Sequence, residues 1–126
     1  MSSTTTNGLA FAALSFDCAD PAALAEFWGQ LLGRPVSQGA VPGDMAVEAA
    51  GPTSGPRLLF HGVSEGVTAA TGSRPVVVTE HYNEEIERVT GLGAAKVTEN
   101  TLPAVRWTTF ADPEGNHFDL VTWLSE

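Results

Sequence analysis

With 126 residues the chain is sized for one domain, able to bury roughly two thirds of its unfolded surface without a disulfide or structural metal. Six Lys and Arg against fifteen Asp and Glu leave a formal charge of −9 at pH 7. Such a surface repels phosphate backbones and anionic lipid, which argues against nucleic-acid and membrane partners, and it favours a cationic or neutral ligand unless its purpose is solubility alone.

The lone cysteine, Cys18, has no partner for an internal disulfide and reads as a small buried hydrophobe. No apolar run approaches a membrane span, and Met1 to Asn7 lacks the basic and apolar regions of a signal peptide, so a cytoplasmic location is expected. Residues 1–8 read as a disordered tail. Leu9 to Cys18 is an apolar strand candidate that ends at Asp20-Pro21, where Asp20 caps a helix and Pro21 takes its first position, a place with no intrahelical N–H bond to lose. That helix runs to about Leu32, with Leu24, Phe27, Trp28 and Leu31 on one apolar stripe, Gly33 as its C-cap and Pro35 as its stop. Strands are expected at Arg34 to Gln38, Met45 to Ala49 and Arg57 to Val63, separated by Gly/Pro clusters. Ser64 to Ser73, rich in small residues, reads as a connector.

The second half repeats the order: a Val-rich strand, Arg74 to Thr79; a helix capped by Asn83 and carrying Ile86, Val89 and Leu92; then strands at Ala95 to Glu99, Val105 to Phe110 and Phe118 to Trp123. The helix is expected to end at Gly91 or Gly93. Asp112-Pro113-Glu114-Gly115-Asn116 is a hairpin turn between the last two strands, with Pro113 presetting φ and Gly115 and Asn116 tolerating positive φ. The chain is therefore two copies of a βαβββ unit within one structural domain, residues 9–68 and 69–126. Pairing the units is expected to join their sheets, the uncovered faces lining a concave cleft.

This repeat, the segment Asp17-Cys18-Ala19-Asp20-Pro21 leading into Ala22 to Gly33, and the terminal Asp112 to Leu120 together resemble the vicinal oxygen chelate superfamily, and within it the glyoxalase and bleomycin-resistance proteins. The resemblance implies an α+β fold in which two βαβββ modules form a U-shaped mixed sheet around a cleft, commonly in a homodimer whose clefts draw on both chains. Metal-binding members hold a divalent ion with His, Glu or Gln side chains on cleft strands. At the matching places this sequence has Ala13, Val76 and Val78, with Asp119 where a Glu is usual and His61 near a further ligand position. A metal site needs three or four N, O or S donors converging at about 2 Å. No metal and no other cofactor is therefore expected, although Glu48, Glu80 and His81 remain as donors outside the matched positions.

Strand alternation with Asp119 facing the cleft turns His117, Val121 and Trp123 the same way and leaves Phe118 and Leu120 to the helix side. On the first strand Phe11, Ala13, Ser15 and Asp17 face inward. Leu59 shares a face with His61, and Trp107 with Thr109. The expected ligand-binding residues are Phe11, Ala13, Ser15, Met45, Leu59, His61, Val76, Val78, Trp107, Thr109, His117, Asp119, Val121 and Trp123. Trp28 reads as packing on the helix stripe, and Trp123 alternatively closes the dimer or caps the sheet.

Small residues at the ligand positions and aromatic side chains around them suit a bulky, partly aromatic molecule. The leading expectation is a metal-free binding protein that sequesters a natural product such as an antibiotic, with no catalytic residue assigned. The alternative is a metal-independent isomerase, cyclase or lyase using His61 or His117 with Asp119 for proton transfer. A metal-dependent glyoxalase or dioxygenase stands last. The sequence holds no Gly-rich phosphate loop ahead of a helix and no nucleophile elbow.

Overall fold

The computed structural model describes residues 12–39, 41–51, 55–63 and 74–124. Its elements follow the expected repeat: β1 (Ala13–Cys18), α1 (Pro21–Leu32), β2 (Val36–Gln38), β3 (Met45–Val47) and β4 (Arg57–Gly62), then β5 (Val76–Val78), α2 (Tyr82–Gly91), β6 (Ala95–Leu102), β7 (Val105–Ala111) and β8 (His117–Trp123). Each module is a four-stranded mixed sheet, ordered β1-β4-β3-β2 and β5-β8-β7-β6. The first and last strands of each module run parallel and the others antiparallel. The expected boundary near residue 68 and the connector 64–73 lie outside the described residues, as do residues 1–8 and the start of the first strand at Leu9.

α1 begins and ends where its sequence dictates. The Asp20 carboxylate accepts from Ala23 N–H at 3.1 Å, Pro21 opens the helix, and Gly33 closes it in the left-handed region at φ 66°. Arg34 N–H then bonds Gly29 C=O at 3.0 Å, so Arg34 and Pro35 belong to the helix exit and β2 starts only at Val36. Gly29 lets the helix approach β2: a Cβ there would stand 2.6 Å from Val36 Cγ2 and 3.1 Å from Arg34 O.

α2 departs from expectation. Asn83 lies inside its first turn, and the N-cap is His81, whose side chain caps nothing. The chain is turned there instead by Thr79, whose hydroxyl accepts from His81 N–H at 2.9 Å. β6 runs past the expected Glu99 to Leu102 because β7 pairs with it along its whole length, although every β6 residue is exposed.

The two-module fold is as expected, with no strand pairing between its two four-stranded sheets among the described residues. The modules meet instead through α1. Its buried face carries Leu24, Ala25, Phe27, Trp28, Gly29 and Leu31, broad enough to serve both sheets. Trp28 packs edge-on against Phe118 of β8 at 4.9 Å and near Phe16 of β1 at 5.9 Å; Phe27 also meets Phe118, and Phe110 stacks on Phe118. One core therefore spans both modules and consumes the helix-side faces of both sheets.

The Asp112 to Asn116 turn fastens this arrangement. Asp112, nearly fully buried, accepts from Glu114 N–H, Asn116 N–H and Trp28 Nε1–H, all at 2.9 Å. Glu114 reaches across to accept from Ala19 and Asp20 N–H at 2.9 and 2.8 Å. At the other end of α1, Arg88 of α2 donates to Gln30 and Leu31 C=O at 3.1 and 2.8 Å. Module two thus places a negative group at the start of α1 and a positive one at its end, matching the helix dipole.

Candidate ligand-binding site

With the helix-side faces buried, cross-strand register identifies what the opposite faces present. In module two the row Val76, Asp119, Thr109 lies beside the row Val78, Val121, Trp107, with Trp123 opposite Val105 and His117 opposite Ala111. Phe118 and Leu120 belong to the core, as alternation predicts. Trp107 and Thr109 therefore share the face of Asp119. Val76, Val78 and Trp123 are 64%, 63% and 70% exposed, whereas Thr109, Asp119 and Val121 on the same face are buried, so it is open along its β5 edge and at Trp123. Val78 and Trp123 also border a depression of about 540 Å³ with Thr79, Glu80 and Thr122.

In module one Ala13 stands opposite Arg57, Ser15 opposite Leu59, and Asp17 opposite His61, all on one face. Met45 pairs with Phe60 and Gln38 and packs partly against the core, and both Met45 and Phe60 also line the depression beside them. Phe11 lies outside the described residues. The depression, about 330 Å³, is lined by Ser15, Gly39, Val41, Asp44, Met45, Arg57, Leu59, Phe60 and His61.

Its chemistry comes from two cross-strand ion pairs. His61 Nδ1 bonds Asp44 Oδ2 at 2.7 Å, and the other Asp44 oxygen accepts from Gly62 N–H at 3.0 Å. The Asp44 carboxylate raises the His61 pKa, first by hydrogen bonding and then by charge, with Asp17 adding to it, and His61 in turn lowers that of Asp44. Arg57 Nε and Nη2 grip Glu48 at 2.8 and 3.0 Å, and Ser37 donates to the same carboxylate. Arg57 and then Ser37 hold the Glu48 pKa down to about 2. Cys18 is fully buried, as expected, and burial first and nearby carboxylates second push its thiol up to about 12, far from a nucleophile's range.

The structure does not bring together the residues expected to act as acid and base. The Asp119 carboxylate accepts from Thr109 Oγ1 at 2.6 Å and pairs with Arg74 Nε at 3.1 Å, so its capacity is spent within its own module. His117 is exposed and makes no bond with it among the described residues. His61 has Asp44 as its partner instead. Asp44, Arg57 and Arg74 escaped the sequence reading. The first two come from cross-strand register: the antiparallel pairing that sets Met45 opposite Phe60 continues to Asp44 opposite His61 and to Glu48 opposite Arg57.

The chain matches the glyoxalase-like domain model over residues 13–121. It belongs to the glyoxalase-like domain family, and its fold is that of the glyoxalase/bleomycin resistance protein/dioxygenase superfamily. Among solved structures it is similar to a glyoxalase/bleomycin resistance protein/dioxygenase family enzyme from Burkholderia phytofirmans PsJN (TM-score 0.72, 13% identity, 90% of this chain and 98% of that one). It is also similar to TnmS3, an antibiotic binding protein from Streptomyces sp. CB03234 (0.68, 20%, 93% and 98%), and to TioX from Micromonospora sp. ML1 (0.61, 19%, 91% and 99%). No curated protein matches.

The family's divalent ion does not fit the residues present. Ala13, Val76 and Val78 offer no donor, and Asp119 is committed to Arg74 and Thr109. His61 is opposite Asp17, four residues along β4 from the Arg57 that faces Ala13, or roughly 13 Å at strand rise, too far to share an ion with that row. Among the described residues no group of three or more His, Cys, Asp or Glu could hold a metal. Nor is any described helix long and apolar enough to cross a membrane.

Proposed function

We propose that this chain is a cytoplasmic, metal-free small-molecule binding protein that sequesters a bulky, partly aromatic natural product such as an antibiotic. The observation that carries this reading is the composition of this face: exposed Val76 and Val78, with Val121 and Trp107, flank a buried Asp119 paired with Arg74, where the family's enzymes keep metal donors. Such a surface binds by apolar burial and ring stacking and needs no nucleophile. The antibiotic-binding TnmS3, which shares this fold, supports the reading. A homodimer completes the cleft: β1 and β5 end their sheets with unpaired outer edges among the described residues, and Val76 and Val78 lie exposed beside one of them.

The test is tryptophan fluorescence titrated with aromatic natural products. Saturable quenching that is lost in Trp107→Ala supports the proposal; no saturable response to any of them contradicts it. The reading as a metal-independent isomerase, cyclase or lyase keeps one favourable observation, the His61–Asp44 pair facing a depression, which is the geometry of a positioned imidazole base. Turnover of a bound ligand, abolished by His61→Ala with binding kept, would establish that alternative.

A further inference from the structure

Asp44, which lines the depression on the first module, and Glu48, bonded to the Arg57 that lines it, already accept hydrogen bonds. Both Asp44 oxygens are taken, by His61 Nδ1 and Gly62 N–H. Both Glu48 oxygens are taken as well, by Arg57 Nε and Nη2, with Ser37 donating to one of them. Arg57, and His61 when its ring is protonated, still have donors to offer, and the Ser15 hydroxyl can donate or accept. His61 Nε2, Arg57 Nη1 and Ser15 Oγ have no partner among the described residues, and all three side chains line the same depression of about 330 Å³. Leu59 and Val41 supply apolar wall beside them.

We infer that this depression anchors an oxyanion, a carboxylate or ionised phenol at the edge of a flat apolar body, with His61 Nε2–H and Arg57 Nη1–H as its charged donors and Ser15 beside them. Charge-assisted bonds from a forked guanidinium and an imidazolium suit such an oxygen in both geometry and strength. An ammonium group would have to share the Asp44 carboxylate with His61 and Gly62, or take Ser15 Oγ or Asp17, while facing the charge of Arg57. Asp17, opposite His61 on β1, is the nearby opposing charge. The chain's net charge of −9 points toward cationic ligands; at physiological salt, charges beyond about 8 Å are largely screened, so the local donors decide. The inference rests on the small-molecule-binding reading of this face and specifies the polar edge of what it binds.

Three probes of one shape separate the possibilities: 2-naphthoate, neutral 2-naphthamide and 2-naphthylmethylammonium, titrated into the full chain and followed by NMR at the His61 ring, the Arg57 Nε–H and the Leu59 methyls. The expected order is acid, then amide, then ammonium, with naphthoate at least about tenfold tighter than the ammonium. Its shifts should centre on His61, Arg57 and Leu59, and the preference should collapse in folded His61→Ala and in Arg57→Gln. An ammonium that binds as well as the acid, a preference that survives both substitutions, or naphthoate shifts confined to Trp107 and Val121 would overturn the anchor and leave sequestration standing. Absence of naphthoate binding overturns the anchor too. If aromatic natural products also fail to quench tryptophan, the sequestration reading falls with it.

Discussion

Asp119 and His61 show how a side chain's partners, and not its identity, decide what it can do. A carboxylate on a cleft strand looks like a ligand or base until Arg74 and Thr109 are seen to occupy it. His61, by contrast, gains a partner in Asp44 that keeps it protonated to higher pH. Its folded pKa is raised above the ordinary 6.5 and that of Asp44 is lowered below 3.8, so the pair's contribution to stability is complete between those two values. It is lost as pH rises through the His61 value and as pH falls through the Asp44 value. The charged groups facing the imidazole are Asp44 and Asp17, with Arg57 on the same strand face already paired to Glu48. An NMR titration should place the His61 midpoint above 6.5, and Asp44→Asn should move it down; an unshifted midpoint would contradict the pairing.

At the scale of elements, α1 is the part both modules depend on. Trp28→Phe keeps most of the ring contacts but leaves buried Asp112 without one donor, a loss of about 1–3 kcal/mol measurable by chemical denaturation. Gly29→Ala gains helix propensity of about 1 kcal/mol but drives a methyl into Val36 and the Arg34 carbonyl, so a net loss of about 1–2 kcal/mol is expected. A neutral or stabilising result would mean that α1 can move off β2 freely.

α1 was readable in advance because Asp20-Pro21 and Gly33 each answer one backbone requirement at a helix end. α2 was not, since a threonine outside the helix turns the chain there and Asn83 has no capping role. The pairing of Asp44 with His61 was hidden by the connection between Val47 and Arg57, whose length leaves the register of β3 on β4 open until the strands are seen together. Trp28 read correctly as packing, but its bond to Asp112 joins residues 84 positions apart, which no local pattern signals.

For the whole molecule, the repeat was legible because the same strand, helix and turn signals occur twice, yet how the repeats meet was not. Alternation assigns two faces to a sheet without saying which face the other module takes. Here the aromatic stripe of α1 takes both helix-side faces, and β1 and β5 stand at sheet edges, with Val76 and Val78 exposed on β5. If a second copy covers them, sedimentation should show a dimer, and Val76→Asp with Val78→Asp should weaken it by more than about tenfold. A monomer at every concentration would restrict the site to one chain.

Under the proposed function, binding needs neither a metal nor a reaction. Calorimetric titration of an aromatic ligand identified by tryptophan quenching, run with chelator and then with added divalent ions, and followed by mass spectrometry of the recovered ligand, tests it most directly. The expected result is one affinity in both conditions and a ligand returned unchanged. Affinity that appears only with the ion, or a ligand recovered as product, would contradict the account.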